Sequence, residues 1–118
     1  MHLNRLCARA RFASALTSSM LLFANAALAQ DMDMDAATRL LDENKCGKCH
    51  SLDKQKDGPA YKKIAANHKG KADAESKLVT HLKTGPMVEI DGVKEAHAKI
   101  KAKDDAAVRN AVRYILSR

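Results

Sequence analysis

Cys46-Gly47-Lys48-Cys49-His50 is the stretch of this 118-residue chain on which the reading of its fold turns. Two thiols three residues apart, followed at once by an imidazole, form the pattern for covalent attachment of a c-type haem. On one turn of backbone, both thiols can add to vinyl groups on the same haem edge. The next residue can then bring its imidazole to the iron from one face. A pentapeptide this short also arises by chance, so the rest of the chain must agree with it. Two other chemistries use the same spacing. A structural zinc site needs two further ligands, and His68, His81 and His97 could supply one. A redox-active dithiol of the thioredoxin kind needs a βαβ context, and the chain shows no alternating strand pattern.

Toward the N-terminus, residues 1–29 read as a cleaved signal peptide and residues 30–118 as one domain. Arg5, Arg9 and Arg11 make a basic start without an acid, Phe12 to Leu28 is mostly apolar and small, and Ala27-Leu28-Ala29 is a small-x-small cleavage pattern. Ser14, Thr17, Ser18, Ser19 and Asn25 interrupt the apolar run, which is short for a membrane span. Cleavage after Ala29 leaves 89 residues, and loss of the three arginines lowers the formal charge from +7 to +4. Cys7, Phe12 and Phe23 go as well, so Cys46 and Cys49 become the only cysteines, and Tyr61 and Tyr114 the only aromatic residues. A domain this small buries a modest share of its surface and usually needs a staple. A large, flat, covalently held cofactor would supply the missing apolar volume.

The domain reads as a chain of short helices. Ala36 to Asn44 has Ala37, Leu40, Leu41 and Asn44 at helical spacing, with Asp35 as its N-cap. Ser51 to Asp57 is a polar loop, Gly58-Pro59 a turn, and Pro59 can open a helix running through Tyr61, Ile64 and Ala65. Asp73 to Lys83 reads as a third helix closed by Gly85-Pro86. Met87 to Lys103 is the least regular part, with Asp91-Gly92 a tight turn. Asp104 caps a last helix whose stripe is Ala107, Val108, Ala111, Val112, Ile115 and Leu116.

With the haem motif near the N-terminus, Gly58-Pro59-Ala60-Tyr61 a short loop later, Leu82-Lys83-Thr84-Gly85 at a helix end and Tyr114-Ile115-Leu116 in the final helix, the chain resembles a small class I cytochrome c. The likeness is to the short bacterial cytochromes of the c-551 and c8 type. The resemblance implies an all-α fold, about four short helices wrapped around one covalently bound haem c per chain. By position it makes Cys46 and Cys49 the thioether residues and His50 the proximal axial ligand. Pro59 becomes the residue whose carbonyl accepts the proton of that imidazole, and Leu41 the residue that packs against Tyr114. The sequence departs from the family at the sixth ligand, where a methionine followed by prolines is usual. His97, twelve residues after Gly85 and seventeen before Tyr114, lies close to the family position and is favoured. Met87, two residues after Gly85, is the alternative. Paired imidazoles imply a lower potential than imidazole with thioether.

The expected function is a periplasmic monohaem electron carrier that shuttles single electrons between redox proteins, not an enzyme. Lys45, Lys48, Lys54 and Lys56 flank the attachment site and would steer it onto an acidic docking surface, with Asp53 and Asp57 as nearby counterweights. A membrane-bound oxidase or reductase complex is among the partners considered. Nucleic acid is not, because no aromatic residues interleave the lysines. A haem-based sensor or gas-binding protein with a displaceable sixth ligand is the alternative. His68 and His81 read as surface residues.

Overall fold

The computed structural model describes residues 31–118; the signal-peptide reading of residues 1–29 therefore lies outside the described residues. Helix α1 spans Met34–Glu43, α2 Tyr61–His68, α3 Ala74–Thr84 and α4 Asp105–Leu116. Between α3 and α4, strands β1 (Met87–Ile90) and β2 (Val93–Ala96) pair antiparallel, with Met87 opposite Ala96 and Ile90 opposite Val93. No helix among the described residues is long and apolar enough to cross a membrane.

The last helix is the centre of the molecule. Its buried residues Val108, Ala111, Val112 and Ile115 recur at three- and four-residue intervals, and α1, α2 and α3 all pack on it. Two apolar clusters share it. Leu40 and Leu41 of α1 and Tyr61 of α2 meet Ala111 and Ile115, with Tyr114 at the edge. Val79 and Leu82 of α3 meet Val108 and Val112. Ile100, from the segment before α4, packs on both clusters and joins them.

Two helices, α1 and α4, start at side chains that cap them. Asp104 accepts from the Ala107 N–H at 2.8 Å and starts α4. The cap of α1 is Asp33 rather than Asp35, accepting from the Ala36 N–H at 2.9 Å. Asp33 was open to that role because Asn110 of α4 grips its backbone, accepting from its N–H at 3.0 Å and donating to its carbonyl at 2.7 Å. Helix α2 begins at Tyr61, so Pro59 lies before its first turn.

The hairpin adds a small sheet to the otherwise helical fold. Asp91 (φ 51°) and Gly92 (φ 80°) both take positive φ, as a two-residue hairpin loop requires. Each strand has only four residues and β2 is exposed throughout, so the alternation is too brief to read as a strand pattern in the sequence.

Candidate functional site

The thiol-bearing stretch leaves α1 through a reversal. Lys45 adopts φ 55°, a left-handed conformation that costs a non-glycine residue about 1 kcal/mol. Cys46–Lys48 then form one 3-10 turn. The Cys49 and His50 N–H groups both donate to the Cys46 carbonyl, at 3.3 and 3.0 Å. A single turn thus separates the two half-buried thiols, which are not bridged to each other. Burial pushes the Cys46 thiol pKa up, and the neighbouring charges of Asp42 and Cys49 push the same way.

The following loop folds back beneath His50. Gly58 N–H donates to the Cys49 carbonyl at 2.8 Å, and Tyr61 N–H to the Ser51 carbonyl at 2.9 Å. These bonds bring the Pro59 carbonyl to 2.7 Å from His50 Nδ1. A carbonyl only accepts, so Nδ1 carries the proton and Nε2 keeps its lone pair. The Tyr61 ring stacks beside the imidazole, centroids 5.7 Å apart. Gly58 is held to glycine by space: a Cβ there would lie 2.6 Å from His50 Cε1 and 2.9 Å from Nδ1.

His97 faces His50, ring centroids 6.1 Å apart and planes inclined by 45°. Its Nδ1 lies 2.9 Å from the Ala98 carbonyl, so here too the proton sits on Nδ1 and the Nε2 lone pair is unspent. Two imidazoles that bind one metal from opposite sides, each through a bond of roughly 2 Å, have ring centres about 6 Å apart. The pair matches that spacing, and in each ring the carbonyl bond is made by Nδ1 and not by Nε2. Met87 does not share this arrangement. It lies on the outward row of β1 with Glu89, 63% exposed, while Val88 and Ile90 are half-buried on the other row.

Long-range bonds hold the segment that carries His97. Its N–H donates to the Pro86 carbonyl at 2.9 Å, and the Ile100 N–H to the Leu82 carbonyl at 2.8 Å. Asn44, at the end of α1, accepts from the Lys101 N–H at 2.7 Å and donates to the Lys101 carbonyl at 3.0 Å. Gly85 ends α3 in the left-handed region (φ 60°), and a Cβ on it would run into the His97 carbonyl.

His81 differs from its surface reading. It is half-buried in the last turn of α3, edge-on to His97 with centroids 4.5 Å apart and planes at 69°. Burial lowers its pKa, and the charges of His97 and His50 lower it further. The signal was in the spacing: Leu78, His81, Leu82 and Gly85 fall on one helical face. His68, also read as a surface residue, is half-buried at the end of α2, and its Nδ1 finds no partner among the described residues.

Lys56 is likewise committed. Its Nζ donates to the Gly47 carbonyl at 2.6 Å, although it is exposed, as Lys45, Lys48 and Lys54 are. Among the described residues no three His, Cys, Asp or Glu side chains are grouped to hold a metal ion, so the zinc reading lacks its ligands. The hairpin supplies no βαβ unit for a thioredoxin-like dithiol.

The family model described as Cytochrome c matches residues 34–118. Cytochrome c-551 of Pseudomonas aeruginosa is 38% identical over 64 residues, 54% of this chain and 57% of that protein; the match thus spans little more than half of the relative's length. Among solved structures, the class 1 cytochrome MtoD of Sideroxydans lithotrophicus aligns with a TM-score of 0.69 and 47% identity, over 73% of this chain and 96% of that one. Cytochrome c552 of Nitrosomonas europaea aligns with a TM-score of 0.57 and 28% identity, over 68% and 96%.

Proposed function

The chain belongs to the cytochrome c family, with covalently attached haem c, and on that premise we propose that it is a periplasmic single-electron carrier whose iron is held between His50 and His97. The observation that carries the reading is the facing pair of imidazoles, 6.1 Å apart, each with its Nδ1 proton given to a carbonyl. Cys46 and Cys49 form the thioether links from either end of one turn. The bound haem supplies one-electron chemistry at its iron, between the ferric and ferrous states.

The chain's own residues set how that chemistry runs. The Pro59 carbonyl draws on the Nδ1 proton of His50, which orients the ring and raises the basicity of Nε2. The Ala98 carbonyl does the same for His97. Two basic nitrogen donors favour the ferric state and place the potential below that of an imidazole–thioether pair. His50 and His97 together would hold the bound group and leave no position for a substrate, which favours electron transfer over catalysis. Lys45, Lys48 and Lys54 crowd the attachment turn with positive charge and suit acidic partner proteins. The basic-then-apolar N-terminal segment supports export to the periplasm.

The test is the absorption spectrum of the ferric holoprotein, matured with haem. The expected result is low-spin ferric haem without the weak long-wavelength sulfur-to-iron band, and a reduced protein that resists CO. The sulfur band would make Met87 the sixth ligand and overturn the assignment of His97. A high-spin spectrum would mean an open iron and overturn the closed carrier.

A further inference from the structure

Beside the facing pair stands a third imidazole that the electron carrier does not use. His81 touches the His97 ring edge-on at 4.5 Å. Its own ring nitrogens make no hydrogen bond to protein among the described residues, whereas both other rings have committed Nδ1 to a carbonyl.

The two distal-side histidines also differ in what holds them. His97 sits just after β2, on a stretch without regular structure that runs to α4. His81 sits in the last turn of α3. That helix is clamped to α4 by Val79 and Leu82 in the apolar cluster, by Glu75 on Arg113 at 3.0 and 3.3 Å, and by Lys83 on Asp105 at 2.8 Å. The segment that presents His97 is held instead by bonds to Pro86, Leu82 and Asn44, so the two rings stand on differently fastened backbone.

We propose that His81 is a reserve axial ligand, able to take the sixth position of the iron when His97 leaves it. The proposal rests on the reading of His97 as the sixth ligand. A change of χ1 rotamer carries an imidazole centre roughly 4 Å, comparable to the 4.5 Å between the two rings. Exchange between them swaps one neutral nitrogen donor for another, so neither the charge nor the ligand type at the iron changes. The consequence is a carrier that stays closed while its distal segment opens, and so excludes CO, NO and peroxide from the iron.

The test uses holoprotein carrying His97→Ala. The expected spectrum remains low-spin without the sulfur band, with the electron paramagnetic resonance signature of paired imidazoles. Adding His81→Ala abolishes it and leaves high-spin haem that takes up CO. Where His97→Ala does not accumulate, His97→Gln serves, because its amide can still donate to the Ala98 carbonyl while ligating iron poorly. A high-spin single variant overturns the proposal. So does the sulfur band in that variant, which would show Met87 filling the position instead. Failure of the underlying reading is separately visible, as the sulfur band in the wild-type protein.

Discussion

Residues that carry no chemistry decide whether the two facing imidazoles meet. Gly58 is the clearest case. Its backbone is ordinary, and only the closeness of the His50 ring forbids a side chain. Gly58→Ala is expected to push His50 off the Pro59 carbonyl and to cost about 1–3 kcal/mol, the usual range for overpacking. Urea midpoints of the two holoproteins measure the cost, and a changed potential reports the disturbed ring; an unchanged midpoint and potential would mean that the ring yields freely. Asn44 acts from further away. Its two bonds to Lys101 tie the end of α1 to the segment that carries His97. Asn44→Ala leaves two backbone groups to find other partners and should cost about 1–3 kcal/mol. Hydrogen exchange at the Ile100 and Lys101 amides should also speed up in the variant, and equal rates would show that the segment is held by its other bonds alone.

At the scale of elements, α4 is the post and α3 the arm that carries His81 and, through Gly85, sets the course of the hairpin. The ion pairs between them are exposed or partly exposed, so solvent screens them and each contributes little. Lys83 holds the Asp105 carboxyl below its ordinary value of 3.8. A carboxylate with a lowered folded-state pKa binds fewer protons folded than unfolded. Its stabilisation is present above pH 3.8 and disappears as pH falls through the lower folded value. Lys83→Met should therefore lose less stability than the wild type between pH 5 and pH 3, measured as the shift in urea midpoint. Parallel losses would mean that the pair does not matter to acid unfolding. The hairpin shows the opposite economy. Two four-residue strands, one exposed throughout, would not persist alone in water. The bond from the His97 N–H to the Pro86 carbonyl closes its base.

For the whole molecule, charge and a thin core are the governing features. Val112 is the one large side chain fully buried among the described residues, and Tyr61 the one buried aromatic. The exposed Lys45, Lys48 and Lys54 lie close together in the chain around the attachment turn, while Lys56 is drawn onto Gly47. Charge reversal at two of them, Lys45→Glu with Lys48→Glu, should slow electron transfer to an acidic redox protein and weaken its dependence on ionic strength. Stopped-flow rates across a salt series would check this, and an unchanged salt slope would place the docking face elsewhere.

How much of this was legible in the sequence follows from the range over which each signal acts. The attachment motif, the four helices and the Asp104 cap depend on neighbours within a few residues, and spacing alone revealed them. The Asp33 cap was misread as Asp35, because Asn110 holds the Asp33 backbone from 77 positions away. Gly58 looked like turn chemistry and is in fact a clearance for His50. His81 looked like a surface residue because its neighbour, His97, is sixteen positions on and arrives only after the chain reverses at Asp91-Gly92. The sequence by itself determined the family, the helices and the haem-binding turn, since periodicity and local bonding write those into adjacent residues. His97 was favoured opposite His50 from its family position, and only the tertiary structure decided how the rings lie and that His81 joins them. That depends on Gly85, Asn44 and Ile100 closing the distal segment onto helices distant in the chain, and no local pattern records such contacts.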